Sequence, residues 1–480
     1  MDKNIPSIAI VDDGINGDIY NIGMLKNDIE IYPDLRIAKR KKDYSSIISH
    51  GTICSTIIRK YAYDAQLSSI RILNSKNNKG GKHQLIKALY WCVENGIKIV
   101  NLSLGSIEFR DFYEIKKCVN DISEKLVIIA ACNNRNIYTV PASLTNTIGV
   151  KCGENYINDQ YQFNSNSLDG IEIMASSCHQ IVNKHNEYCY TNISNSFAAP
   201  LITAKVHNIL TKNPLLSLEQ IKKELFKGAE NFRNENCNTY ISLNIDWINN
   251  YTIINPCSIN ENCNTNTIVI DNTNNIFDYI LLKNVILKFA TSNKNIILFS
   301  DKSMPKTIYD ILATQEYSKI WNNEIYQNYL KLYLSEELID INIPIILVHN
   351  HGTNDLLINL QSLFLKDGYY PIIISNKCID ILNGFEYLPT DIHVTKFMTH
   401  LYRKHNCDII IFNIDDENFI ENIKQNIECD IEINVSITIK KFSILNKTIN
   451  NHMYKNICIN KNNSINYVRK LYRKIIRVLN

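Results

Sequence analysis

Much is missing from this sequence, and each absence narrows what it can be. The formal net charge is only +3 over 480 residues, with 51 Lys and Arg against 48 Asp and Glu. That balance argues against nucleic acid or an anionic membrane surface as a partner. The longest apolar runs, such as Ile343–Val348, fall far short of a membrane span. The opening MDKNIPSIAIVDDG reaches an apolar strand within a few residues, with no basic segment followed by an apolar one. No secretory signal and no pro-domain are therefore expected, and the chain reads as soluble and cytoplasmic. Its 14 cysteines include no CxxC pair and no metal-ligand spacing. In a reducing compartment they read as free thiols, with Cys54, Cys92 and Cys132 packed in apolar stretches. Glycine is scarce, 15 of 480, which reads as coding bias and excludes nothing by itself.

What is present is ordinary for a globular chain: 45% hydrophobic and 21% charged residues, and length enough for two or three domains. The first half alternates elements. Strands are expected at Ser7–Val11, Ala65–Leu73, Lys98–Leu104 and Leu126–Ala131. Helices are expected at Gly51–Lys60, Lys82–Asn95, Tyr113–Glu124, Ala198–Leu210 and Pro214–Ala229. This order predicts an α/β fold with a mostly parallel sheet flanked by helices, and catalytic residues at the carboxyl ends of its strands. From Asn231 to Asn275 the chain turns polar and Asn-rich, a linker signature, with Tyr240–Trp247 as a candidate edge element. A second alternating block follows. Its expected strands are Tyr279–Leu282, Lys294–Phe299, Ile343–His349, Pro371–Ser375 and Cys407–Asn413, and a basic amphipathic helix spans Ile465–Leu479. The domains are thus 1–232, a linker 233–275, and 276–480.

Four signals carry chemistry. Asp12-Asp13-Gly14 ends the first strand, which suits a carboxylate that orients a histidine. His50-Gly51-Thr52 opens a helix, and Asn133 follows the strand ending at Ala131. Ser196 lies in the first turn of an apolar helix, where free N–H groups and the helix dipole favour negative charge. Each alone is most simply a turn, a helix start or a cap. Together they supply what serine acyl chemistry needs: a nucleophile, a base, an orienting acid and an oxyanion donor.

Residues 1 to about 232 resemble the subtilisin-like (S8) serine peptidases. The family's aspartate motif appears as IAIVDDGI, its HGTxxA motif as SHGTICSTI and its SLG strand as VNLSLGS. Its AAGN motif appears as AACNN, its proline segment as VPASLTNTIGV and its GTSxAAP motif as SNSFAAP. The resemblance implies Asp12 as the orienting acid, His50 as general base and acid, and Ser196 as the nucleophile. It implies an oxyanion hole from the Asn133 side chain and the Ser196 N–H, with Ser103, Leu104 and Gly105 pairing with the substrate backbone. No metal and no cofactor are expected, because the stretch after the His50 helix has no room and no carboxylates for the calcium loop of secreted relatives. Three residues depart from the pattern: Cys132 and Ser194 replace glycines and Asn195 replaces threonine. If that glycine needs a positive φ, Ser194 would add about 1 kcal/mol or more of strain. Asp13 adds a carboxylate beside the orienting acid.

In the second half, IPIILVHNHGTNDLLIN places a strand, a turn and a helix where a phosphate loop would stand, but the Gly-rich Lys-Ser/Thr pattern is absent. Residues 275–440 resemble an uncharacterised α/β family, a degenerate relative of P-loop proteins, that accompanies clostridial peptide-maturation systems. The expectation is an intracellular serine endopeptidase that removes the leader of a ribosomally made precursor peptide, its second domain binding a peptide or a partner. A general cytoplasmic protease and a catalytically dead peptide-binding scaffold are the alternatives.

Overall fold

The computed structural model describes residues 5–17, 20–41, 48–73, 79–135, 137–153, 156–164, 168–232, 244–254, 263–273, 277–300, 307, 319–350, 354–435, 442–445 and 464–479. The chain divides into two compact units, Met1–Trp321 and Asn322–Asn480.

The first unit opens with strands β1 (Ser7–Asp12), β2 (Asp28–Ile31) and β3 (Ile37–Lys39), helix α1 (His50–Tyr61) and strand β4 (Gln66–Arg71). Then come α2 (Lys82–Glu94), β5 (Ile99–Leu102), α3 (Phe109–Ile122) and β6 (Val127–Ala131). After β7 (Ile148–Cys152), β8 (Tyr161–Phe163) and β9 (Ile173–Ala175), a small hairpin of β10 (Gln180–Val182) and β11 (Tyr188–Tyr190) leads to α4 (Asn195–Lys212) and α5 (Leu218–Lys227). Nine strands form one sheet in the order β3-β2-β4-β1-β5-β6-β7-β9-β8, antiparallel only at its two edge pairs. Its central strands are all buried because helices cover both faces. One core packs α1 and α4 on the sheet; the other packs α2 and α3 on the opposite face. The expected α/β architecture is what the first unit adopts.

The Asn-rich stretch is not simply a linker. It contains β12 (Tyr251–Ile254) and β13 (Thr267–Asn272), which pair in parallel and continue into β14 (Asn295–Ser300) and β15 (Ile320–Asn322). The compact unit therefore runs to Trp321, past the boundary expected at 276. The expected strand Tyr279–Leu282 is instead the start of helix α6 (Tyr279–Thr291). Asp278 caps it by accepting from the Leu281 N–H, and Leu282, Val285, Ile286 and Phe289 bury one helical face. Of the candidate edge element, 240–243 lies outside the described residues and 244–247 forms no strand.

The second unit contains α7 (Asn323–Tyr333), β16 (Ile345–Asn350), α8 (Asp355–Lys366) and β17 (Pro371–Ser375). It continues with β18 (Glu386–Tyr387), α9 (Val394–His405), β19 (Ile409–Ile414), α10 (Glu417–Asn426), β20 (Ile431–Val435), β21 (Phe442–Leu445) and α11 (Ser464–Leu479). Its six strands run β18-β17-β19-β16-β20-β21, with only the last pair antiparallel. The basic amphipathic helix α11 buries Val468, Leu471, Tyr472 and Ile475 in this unit's core, and the Tyr472 hydroxyl donates to Asp367 at 2.6 Å. Among the described residues no helix is long and apolar enough to cross a membrane.

Candidate active site

β1 carries Asp12 at its carboxyl end, only 1% exposed. Its Oδ2 accepts from His50 Nδ1 at 2.8 Å. A carboxylate can only accept, so this bond sets the tautomer and leaves Nε2 as the outward-facing base. The His50 side chain is 34% exposed, so the ring is reachable although its orienting acid is not. Asp13, the extra carboxylate, serves the helix. Its two oxygens accept from the His50 and Gly51 N–H groups at 2.9 and 2.8 Å, fixing the first turn of α1. Burial and neighbouring Asp12 push the Asp13 pKa up, and those two amide bonds oppose the rise. Gly51 is required by proximity: a Cβ there would stand 2.7 Å from the Gly14 carbonyl oxygen.

Ser196 sits one residue inside α4. Pro200, four residues on, has no N–H to give the Ser196 carbonyl. The Ser103 hydroxyl supplies that donor instead, at 3.0 Å, and accepts from Asn101 Nδ2 at 3.3 Å. Beside the substrate-pairing role expected of its segment, the Ser103 side chain holds the backbone of the candidate nucleophile. Gly105 is small for a similar internal reason, since a Cβ would lie 2.7 Å from the Val140 oxygen and Thr139 Cγ2. Cys54, expected only to pack, bridges the parts of the site. Its sulfur is 3.8 Å from His50 Nδ1, 3.4 Å from Ser103 Oγ and 3.7 Å from the Ser196 carbonyl oxygen. Its place one helical turn after His50 was the signal available in the sequence. The Phe197 ring stacks on His50 with centroids 5.2 Å apart.

The expected strain at Ser194 is not there. Its φ is −163°, extended backbone open to any residue, and its hydroxyl caps α4 by accepting from the Ser196 N–H at 3.3 Å. Asn133 lies just past β6. Its Oδ1 accepts from the Arg135 N–H at 2.8 Å, which leaves the amide nitrogen to donate elsewhere. Behind the site, fully buried His179 donates from Nε2 to the Phe197 carbonyl at 3.0 Å, with the Tyr61 hydroxyl 3.1 Å from Nδ1. Sequence reading missed His179, for which no motif gave a cue.

Burial disfavours the charged His50 ring, but the Cys54 sulfur and the hydrogen bond to Asp12 outweigh it, and the pKa lies above the ordinary imidazole value. Burial holds the Cys54 thiol pKa up as well, and its contact with His50 opposes that rise. Asp12, His50 and Cys54 each present one ligand atom within 4.8 Å, a set a thiophilic cation could occupy only by displacing the His50–Asp12 bond. A hydroxyl at a helix N-terminus, an imidazole oriented by a buried carboxylate and a carboxamide just past β6 are the kinds of group that acyl transfer uses.

These residues stand at the strand ends and helix starts of a mostly parallel α/β sheet. The sequence model of the subtilase family matches residues 3–243, just over half of the chain, and the chain belongs to that family. It is 26% identical to subtilisin DY of Bacillus licheniformis over 178 residues, covering 35% of this chain and 63% of that protein. It is 25% identical to the minor extracellular protease Epr of Bacillus subtilis (strain 168) over 236 residues, covering 45% of this chain and 36% of that protein. The chain thus spans less than two thirds of the length of these relatives. Among solved structures it is similar to a lanthipeptide protease, at 15% identity and a TM-score of 0.38, covering 48% of this chain and 81% of that one. It is also similar to the epidermin leader peptide processing serine protease of Staphylococcus aureus, at 16% identity and a TM-score of 0.36, covering 46% and 68%.

Proposed function

We propose that the chain is a serine endopeptidase in which Ser196 attacks the scissile carbonyl, His50 moves the proton and Asp12 holds the imidazole. The observation that carries this reading is the 2.8 Å bond between His50 Nδ1 and buried Asp12, in a chain of the subtilase family. Asn133 Nδ2 and the Ser196 N–H serve as oxyanion donors, and Ser103, Leu104 and Gly105 form the edge along which the peptide backbone lies. The substrate is a ribosomally made precursor peptide that loses its leader in the cytoplasm, and residues 322–480 bind that peptide or a partner. Support for the substrate is the resemblance of the sequence of residues 275–440 to an uncharacterised α/β family that accompanies clostridial peptide-maturation systems. The purified full chain, incubated with its co-encoded precursor and separately with casein, should cut the precursor at one site and leave casein largely intact. Broad casein digestion with no preference for the precursor would leave only a general protease. A non-catalytic peptide-binding scaffold is favoured by one observation, the Ser194 hydroxyl lying on the Ser196 N–H.

A further inference from the structure

We infer that Asn195 is a positioning residue that holds the oxyanion side of the site in register with the nucleophile, and that Cys132 is its adapted partner. This inference rests on the peptidase reading. Asn195 precedes Ser196 and is only 3% exposed. Its Oδ1 accepts from the Cys152 N–H, at the end of β7, at 2.7 Å. Its Nδ2 faces the Asn133 carbonyl at 3.1 Å, the Cys132 carbonyl at 3.3 Å and the Cys132 sulfur at 3.1 Å. Its own N–H donates to Asn134 Oδ1 at 3.2 Å. One residue beside the nucleophile therefore touches all three residues that follow β6, including the candidate oxyanion donor, and also fixes β7.

The chemistry requires a carboxamide. Asn offers two donor hydrogens and an acceptor on one short, planar group. Threonine, the residue the family pattern places here, has one hydroxyl a bond closer to the backbone and cannot bridge Asn133 and Cys152 together. Aspartate keeps the acceptor for the Cys152 N–H but turns the donor side into a second acceptor facing two carbonyls. The Cys132 sulfur stands where the pattern has glycine, against the same amide, and burial pushes its thiol pKa up to about 12, so it is neutral there. Two departures from the family pattern thus meet in a single contact. The oxyanion donor and the nucleophile then move as one body, and small displacements between such groups are costly in the transition state rather than in substrate binding.

The test compares wild type, Asn195→Thr, Asn195→Asp, Cys132→Gly and the Cys132→Gly/Asn195→Thr double variant on one fluorogenic peptide and on its boronic acid analogue. Thermal melting and the downfield His50 Nδ1 proton resonance check that the fold and the His50–Asp12 bond survive. Asn195→Thr and Asn195→Asp should each lose about ten- to a hundredfold in kcat with KM within about twofold, and bind the boronate correspondingly more weakly. The double variant should recover part of the Asn195→Thr loss, because the two sites are coupled. Wild-type kcat in a folded Asn195→Thr or Asn195→Asp, or additive losses in the double variant, would overturn the inference. Should one Asn195 variant fail to fold, the other and the double-variant comparison decide. A wild type that hydrolyses no peptide would overturn the peptidase reading, a different failure.

Discussion

The Ser194 hydroxyl accepts a hydrogen bond from the backbone N–H of Ser196 at 3.3 Å. That N–H is one of the donors the proposed chemistry needs for the oxyanion, so the cap and the reaction compete for it. Ser194→Ala should remove the competitor and raise kcat by about two- to tenfold, the worth of one net hydrogen bond. The same change should lower stability by about 1 kcal/mol, the cost of a lost helix cap. Steady-state kinetics and a urea melt read the two effects separately. An unchanged or lower kcat would mean that the cap does not compete.

His50 gives the pH dependence its sign. Its pKa is raised by the Cys54 sulfur and by the hydrogen bond to Asp12, so the ring stays protonated, and unable to act as base, to higher pH than a free imidazole. The acid limb of kcat/KM should therefore lie above about 6.5, the ordinary histidine value. Asp12→Asn should move that limb down and cut kcat by roughly 10⁴-fold, as loss of the orienting acid does in other triads. A rate that stays flat between pH 5 and 9 would contradict the assignment of His50 as base.

His179 makes the opposite prediction for stability. Burial lowers its pKa to about 4, partly opposed by its bond to the Phe197 carbonyl. As pH falls from about 6.5 toward 4, the unfolded chain takes up a proton that the folded chain refuses. Stability should then fall by up to about 3 kcal/mol from this group alone. Urea unfolding at pH 7 and pH 4.5 should show a smaller pH-dependent loss in His179→Gln than in wild type. Equal losses would remove His179 from the account.

Ser103→Ala tests the support of the nucleophile. It leaves the Ser196 carbonyl without its hydroxyl donor, 3.0 Å away, and with only the weak Cys54 thiol at 3.7 Å. Stability should drop by about 1–3 kcal/mol and kcat should fall more than KM changes. A change confined to KM would contradict this supporting role of the Ser103 side chain.

The places of Asp12, His50, Asn133 and Ser196 at strand ends and helix starts were legible because short motifs mark them. The five helices α1–α5 and the strands β1, β4, β5 and β6 were legible from their apolar periodicity, whereas the short strands β2, β3 and β7 to β11 were not. The side-chain role of Ser103 was not legible because the demand it meets, an orphaned carbonyl left by Pro200, appears only when β5 and α4 are brought together. His179 and the reach of Cys54 to Ser196 depend on contacts across 18 and 142 positions, which no local pattern encodes. Tyr279–Leu282 was read as a strand because a four-residue apolar run has no period. The cap at Asp278 decides for helix. The Asn-rich stretch misled because polar composition marks turns well, while short strands such as Tyr251–Ile254 add little signal between them.

The central claim, that Ser196 is an activated nucleophile, is tested most directly by treating wild type and Ser196→Ala with a fluorophosphonate and reading intact mass. One adduct on wild type and none on the variant is the predicted result. A folded wild type that acquires no adduct, or equal labelling of both proteins, would contradict it.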